Sequence, residues 1–282
     1  MPAIGRLGVG RLQPCQRMND TDRNELAIAF GAIASEAGQA IMALHSSALK
    51  VASKANGSPV SEADTAAELI ILDALKRLLP DMPVVAEESF DVAAHTAAPA
   101  RFLLVDPLDG TREFITGSDE FTVNIALVEK GQPIVGCVYA PALKQIYIAG
   151  TKAFRAEVVP GTALPTPVGM QKLATASYPS AGLRAMASRS HLDTESEALL
   201  KKLPVQSWMA AGSSLKFCMI ARGDGDIYPR LAPTMEWDTA AGHAVLTAAG
   251  GCVIGRDGSP ISYGKSGFRN NGFVAWGREP LP

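Results

Sequence analysis

The apolar run Phe102-Leu103-Leu104-Val105 gives way abruptly to Asp106-Pro107-Leu108-Asp109-Gly110-Thr111. A run of that kind, bounded by a turn, predicts a buried strand. The strand then delivers two carboxylates, three residues apart, at its end. Gly110 lets the backbone approach a ligand closely, and Thr111 adds a hydroxyl at once. Clustered acid oxygens are what a hard cation such as Mg²⁺ requires. Free amides after a Gly-Thr turn are what a phosphate requires. Both in six residues point to metal-assisted chemistry on a phosphate ester. Asp-Pro and Asp-Gly steps are also ordinary turn formers, so this segment alone leaves a plain structural turn open.

Two further segments carry acids in comparable settings. Glu87-Glu88 follows the apolar pair Val84-Val85, another strand end. Trp237-Asp238-Thr239-Ala240-Ala241-Gly242 opens an Ala-rich stretch that runs to Gly250-Gly251. Asp238 stands where a helix N-cap is expected, with Gly250 or Gly251 as the stop. On residue type alone, Asp238 also reads as a cap and Glu87 as a solvated surface acid.

Together the three segments resemble the signature of the lithium-sensitive, Mg²⁺-dependent phosphomonoesterases. That superfamily includes inositol monophosphatase, fructose-1,6-bisphosphatase and the 3′(2′),5′-bisphosphate nucleotidases. The resemblance runs from about residue 24 to about residue 276 and has the right order: acidic pair, Asp-Pro-Leu-Asp-Gly-Thr turn, then Trp-Asp. It implies metal ligation by Glu87, Asp106, Asp109, Asp238 and the backbone carbonyl of Leu108, with two or three Mg²⁺ per site. It implies Asp64, Thr111 and Glu87 as catalytic residues, Thr111 and Asp64 being the pair that orients water. A threonine hydroxyl passes a proton only if an adjacent acceptor takes it. Asp64 also reads as a first-turn helix acid favoured by the macrodipole. The amides of Gly110 and Thr111 would hold the scissile phosphate.

Other segments are similar to the CysQ-type bacterial branch of the nucleotidases. They are Lys54–Asp64, Arg112-Glu113-Phe114, Glu120–Leu127, Ser188-Arg189-Ser190-His191, Gly212–Cys218 and Tyr228-Pro229-Arg230. One departure is Asn56, where that branch often has Asp. The likeness implies a small nucleotide bisphosphate as substrate, adenosine 3′,5′-bisphosphate, with the sulfated precursor 3′-phosphoadenosine 5′-phosphosulfate as a further one. Cations for the second phosphate would come from Lys216 and Arg230, with Arg184 and Arg189 as further candidates; Arg suits bidentate contact. Ser213 adds a hydroxyl donor, and His191 resembles part of the nucleotide pocket or equally reads as a structural histidine. Each cation also reads as a solvated charge, Arg189 most readily. An inositol monophosphatase or broad sugar phosphatase is the alternative enzyme, and an inactive metal-binding regulator the alternative of another class. Gly264-Lys265-Ser266 resembles the tail of a P-loop, but Ser259 stands where the first glycine belongs, so it reads as a surface turn.

At 282 residues and 47% hydrophobic, the chain has enough material for one large or two closely packed domains. Twenty-six basic against 28 acidic residues, net −2, argue against a nucleic-acid polymer as partner. Cys15, Cys137, Cys218 and Cys252 are too dispersed for a zinc pattern or a disulfide framework, which fits a reducing cytoplasm. Peripheral association with the inner membrane stays open, and no transmembrane segment is expected, because no apolar run reaches roughly 18 residues. Oligomeric state is not legible.

Residues 1–17 read as a disordered extension, 18–160 as an N-terminal α+β metal-binding lobe and 161–282 as a C-terminal α/β substrate lobe. Helices are expected over 24–49 and 61–79. Strands are expected at 83–86, 101–106, 121–129, 133–140 and 144–149, followed by strand–helix alternation. The resemblance implies a layered α-β-α-β-α sandwich with the site between the lobes.

Overall fold

The computed structural model describes residues 18–45, 51–53, 59–91, 98–188 and 193–281. The expected extension at 1–17, Cys15, Asn56, Arg189 and His191 lie outside these. Two helices come first, α1 (Asp20–His45) and α2 (Glu62–Leu78), separated by a short hairpin of β1 (Val51–Ser53) and β2 (Pro59–Ser61). Leu26, Phe30, Ile33 and Ile41 on α1 recur at helical spacing and are buried. At 26 residues α1 is long and apolar enough to cross a membrane, contrary to the expectation from apolar run length, but most of its apolar stretch is buried within the fold. Its helical spacing tolerates the polar residues that break a continuous run.

A seven-stranded sheet follows. Its strands are β3 (Val84–Ala86), β4 (Arg101–Asp109), β5 (Thr122–Glu129), β6 (Gln132–Ala140), β7 (Gln145–Ala149), β8 (Ala153–Glu157) and β9 (Gln171–Lys172), side by side in that order. β3 and β4 are parallel, and the rest form an antiparallel meander. β9 lies beyond residue 160 and completes this first sheet, so the sheet crosses the boundary expected there. α3 (Thr111–Ile115) is a single turn after β4.

Alternation along the strands explains the layering. Val123, Ile125 and Leu127 of β5, with Val135, Cys137 and Tyr139 of β6, pack into one cluster with α1 and α2. Ala126, Val128, Val138 and Ala140 face a second cluster on the opposite side. That cluster is completed by α5 (Leu215–Ala221) and α6 (Ala240–Ala248), and by a five-stranded sheet beyond them. The second sheet contains β10 (Leu183–Ser188), β11 (Val205–Ala211), β12 (Ile227–Arg230), β14 (Cys252–Gly255) and β16 (Phe273–Trp276), in the order β11-β10-β12-β16-β14. A two-stranded ribbon of β13 (Thr234–Met235) and β15 (Arg269–Asn270) flanks it. Its outer face packs in a third cluster with Leu199, Leu200 and Leu203 at α4 (Thr194–Lys202). The layers are therefore α-β-α-β-α, as expected.

α6 can lie close to the first sheet because β6 carries Gly136 where the helix crosses. A Cβ there would stand 2.6 Å from the Ala241 carbonyl oxygen and 2.8 Å from the Ala244 methyl. α6 ends at the expected glycines. Gly250, at φ +104°, donates to Thr247 O, and Gly251 donates to Leu246 O, the paired bonds of a Schellman stop. Gly136→Ala should lower stability by about 1–3 kcal/mol through forced separation of helix and sheet. Urea denaturation checks this, and an unchanged midpoint would mean that α6 shifts without cost.

Candidate active site

The end of β4 carries a β-bulge. Asp106 pairs with Asn124 but Asp109 pairs with Thr122, so three steps on β4 match two on β5. Residues three apart on a regular strand face opposite ways; the extra residue brings both acids to one side. Pro107 falls inside the irregularity, where a missing N–H is tolerated. The strand thus runs to Asp109, three residues past its expected end. Gly110 then takes φ +92°, a left-handed conformation that favours glycine, and starts α3.

Asp106 is buried, and its carboxylate accepts the Leu108 N–H at 3.0 Å. Oxygen atoms of Glu87, Asp106 and Asp238 lie within 4.8 Å of one another. Burial holds the Asp106 carboxyl well above its ordinary range, and Glu87, Asp109, Asp238 and Asp64 push it further the same way. Asp238 is raised to about 6 by burial and by Asp109, against the opposing pull of Thr234, Arg230 and the Met235 amide. The ligand atoms this cluster offers are carboxylate oxygens whose charges repel, which suits a hard divalent cation. Asp238 is not the N-cap of α6; Thr239 is. Its carboxylate instead accepts the Thr234 hydroxyl and the Met235 N–H, the latter at 3.0 Å.

Thr111 and Asp64 meet, as the resemblance implied. The Thr111 hydroxyl has two acceptors in reach, Asp64 Oδ1 at 3.3 Å and the Leu108 carbonyl at 3.2 Å. Asp64 lies in the first turn of α2 and is buried. One helical turn later on the same face is Glu68, also buried, whose Oε2 accepts the Glu88 N–H at 2.8 Å. Glu68 fixes the backbone beside Glu87. The i, i+4 spacing from Asp64 was the available signal for it.

Ser213 reaches the site from the turn between β11 and α5, donating to Asp109 Oδ2 at 2.7 Å. Arg230 lies close enough to Asp109 and Asp238 to feel both charges, and its side chain bonds Tyr228. Its Nε is buried without a hydrogen-bond partner. Lys216 is 1% exposed, and its ammonium donates to the Ala211 carbonyl at 3.1 Å and to the Ser213 carbonyl. Burial lowers it to about 8. Arg184 is likewise committed, forming a fork with Asp226 at 2.9 and 2.7 Å and bonding the Gly223 carbonyl.

The Gly264-Lys265-Ser266 turn offers its Gly264 and Lys265 amides to Glu236, at 2.6 and 3.1 Å. A fully buried carboxylate of the chain itself occupies those amides, and it anchors the segment two residues before Asp238. The buried hydroxyls and amide of Thr122, Ser214 and Asn124 form a further network beside Ser213.

A layered sandwich with a carboxylate cluster at a strand end defines a class of metal-dependent phosphatases, and sequence comparison agrees. The profile of the inositol monophosphatase family matches residues 22–276, and the chain belongs to that family. It is 44% identical over 248 residues to the 3′(2′),5′-bisphosphate nucleotidase CysQ of Shigella flexneri, covering 86% of this chain and 95% of that protein. It superposes on CysQ from Bacteroides thetaiotaomicron with TM-score 0.79 at 36% identity, over 93% of this chain and 100% of the other. A Thermotoga maritima IMPase, at 22% identity and TM-score 0.70, covering 91% of this chain and 92% of that one, shares the fold.

Two outcomes are expected. Asp106 and Asp238 hold their protons to higher pH in the folded chain than in the unfolded one, where the value is near 3.8. The stabilising contribution of Asp238 is then full below about pH 4 and lost as pH rises through about 6, and that of Asp106 is lost as pH rises through its own raised range. Thermal melts in chelator should show this loss, and Mg²⁺ should reverse it above about pH 6. A flat melting profile in chelator would contradict the carboxylate packing.

Separately, Thr111→Ala and Asp64→Asn should each lower kcat more than they raise KM. The double variant should lose little more than the worse single one. Additive losses would show that the two side chains act independently.

Proposed function

We propose that the protein is a Mg²⁺-dependent phosphomonoesterase that hydrolyses the 3′-phosphate of adenosine 3′,5′-bisphosphate to AMP and phosphate. The same activity extends to 3′-phosphoadenosine 5′-phosphosulfate. The observation that carries the phosphatase reading is the acid cluster at the bulged end of β4 beside the Thr111–Asp64 pair. Similarity to the bisphosphate nucleotidases over 95% of the Shigella flexneri protein's length supports the choice of substrate.

Glu87, Asp106, Asp109, Asp238 and the Leu108 carbonyl would hold two or three Mg²⁺. Bound divalent cations lower the pKa of a ligated water and neutralise charge on the leaving oxygen. The remaining work falls to the chain. The Thr111 hydroxyl orients the attacking water and passes a proton toward Asp64, which is held on the rigid first turn of α2. The Gly110 and Thr111 amides hold the scissile phosphate. α3 is only five residues long, so these amides act as individual donors, with little help from a helix dipole. Arg230, with a buried Nε that lacks a partner, suits the second phosphate. The site draws its residues from both sides of residue 160, which supports a metal-binding lobe closed by a substrate lobe. A cytoplasmic location fits this reading.

Initial rates with adenosine 3′,5′-bisphosphate and inositol 1-phosphate, with and without Mg²⁺, test the proposal. The nucleotide should be strongly preferred and Mg²⁺ required; preference for the inositol ester would favour an inositol monophosphatase. Arg230→Ala should cost roughly 1.5–3 kcal/mol in kcat/KM on the bisphosphate, and nothing comparable on adenosine 3′-monophosphate, which lacks the second phosphate. Equal losses on both would place Arg230 at the scissile group.

A further inference from the structure

Two acids of the cluster arrive on different elements. Glu87 stands in the turn that follows β3, and Asp238 in the segment that leads into α6. Oxygen atoms of the two lie within 4.8 Å, a separation at which like charges repel. Hydrogen bonds tie the Glu87 turn to β4 and α2. The Glu87 N–H donates to the Val105 carbonyl at 3.1 Å, and the Glu88 N–H to Glu68 at 2.8 Å. Neither bond reaches the Asp238 segment.

Phe90 does reach it. Its N–H donates to the Glu87 carbonyl at 3.4 Å and closes the turn. Its half-buried ring packs edge-on against Trp237, the residue before Asp238, with centroids 5.1 Å apart and planes at 62°. The same ring meets Phe268 at 5.6 Å and 83°. Phe268 packs in turn on Phe102 of β4 at 5.7 Å, and its carbonyl accepts the Glu236 N–H at 2.8 Å, two residues before Asp238. Edge-to-face ring pairs at such distances are favourable beyond the area they bury. Trp237 and Phe268 are both buried. Phe268 stands at φ +49°, left-handed backbone that a bulky side chain keeps only where its surroundings enforce it. The platform on which Phe90 lands is therefore fixed by the fold.

We infer that Phe90 is a positioning residue, whose ring clips the Glu87 turn onto Trp237 and Phe268 and so holds the Glu87 and Asp238 carboxylates at the spacing a shared metal site needs. The inference rests on those two acids being metal ligands, as proposed above. Groups that orient ligands from outside the coordination sphere are typically worth about 10–100-fold in metal affinity or activity. Ring packing is weaker than a charge-assisted hydrogen bond, so the low end of that range is expected here.

Mn²⁺ binding by calorimetry on the substrate-free protein, with kinetics alongside, tests it. Phe90→Ala should weaken Mn²⁺ binding by about tenfold. The Mg²⁺ concentration giving half-maximal rate should rise by a similar factor. At saturating Mg²⁺, KM for adenosine 3′,5′-bisphosphate and for adenosine 3′-monophosphate should each change by less than about threefold. Phe90→Tyr keeps the ring and should bind Mn²⁺ within about twofold of the parent protein. A folded Phe90→Ala with unchanged Mn²⁺ affinity overturns the inference. So does a raised KM with an unchanged metal requirement, which would mark a ring in contact with substrate. A loss in Phe90→Tyr as large as in Phe90→Ala overturns it as well. If Phe90→Ala does not fold, Phe90→Leu decides: unchanged affinity overturns the inference and weakened affinity supports it. Glu87→Gln and Asp238→Asn separate the two readings. If both leave Mn²⁺ binding intact, the metal-ligand reading fails and the inference with it; if either weakens binding while Phe90→Ala does not, only the positioning role fails.

Discussion

Carboxylates packed against carboxylates are the constraint around which this protein is arranged. Asp106 is buried at the end of a central strand with Glu87, Asp109, Asp238 and Asp64 all raising the cost of its charge. Three of these acids are held by neutral donors. Asp106 takes the Leu108 amide, Asp238 takes Thr234 and Met235, and Asp109 takes Ser213. A neutral donor fixes an oxygen without neutralising it, and the negative potential of the cluster is kept for a ligand. The surrounding sandwich supplies the rigidity that holds the charges together against their repulsion.

Much of this was legible in the sequence. Phe102–Val105 and the alternating run through β5 and β6 are buried on both faces, so their strands announce themselves. The acid pair, the Asp-Pro-Leu-Asp-Gly-Thr turn and Trp-Asp identify the family because their chemistry fixes their residue types. What stayed hidden was geometry set by register. Nothing in Asp106-Pro107-Leu108-Asp109 says that a bulge will turn both acids to one side. Lys216 could not be told from a surface cation because its burial depends on how the fold brings the Tyr228 ring over its ammonium. Arg184 misled for the same reason, its partner Asp226 lying 42 residues away.

Glu68 and Glu236 show a second kind of invisibility. Both are acids near acids, and a count of carboxylates would add them to the metal site. The structure gives both to backbone amides: Glu88 for one, Gly264 and Lys265 for the other. They hold the segments that carry Glu87 and Asp238. Such residues differ from ligands only in what stands opposite them, and spacing along the chain does not reveal that.

α6 lies between the two sheets, touching β5, β6 and β7 on one side and β14 on the other. It is the shared wall of both halves, and the segment just before it brings Asp238 to the cluster. Neither sheet can shed its partner without exposing the apolar side chains of this one helix. Melting of the second sheet would strip the first of its cover and remove an acid from the site in the same event. The two halves should therefore unfold as one cooperative unit, with α6 as the wall common to both.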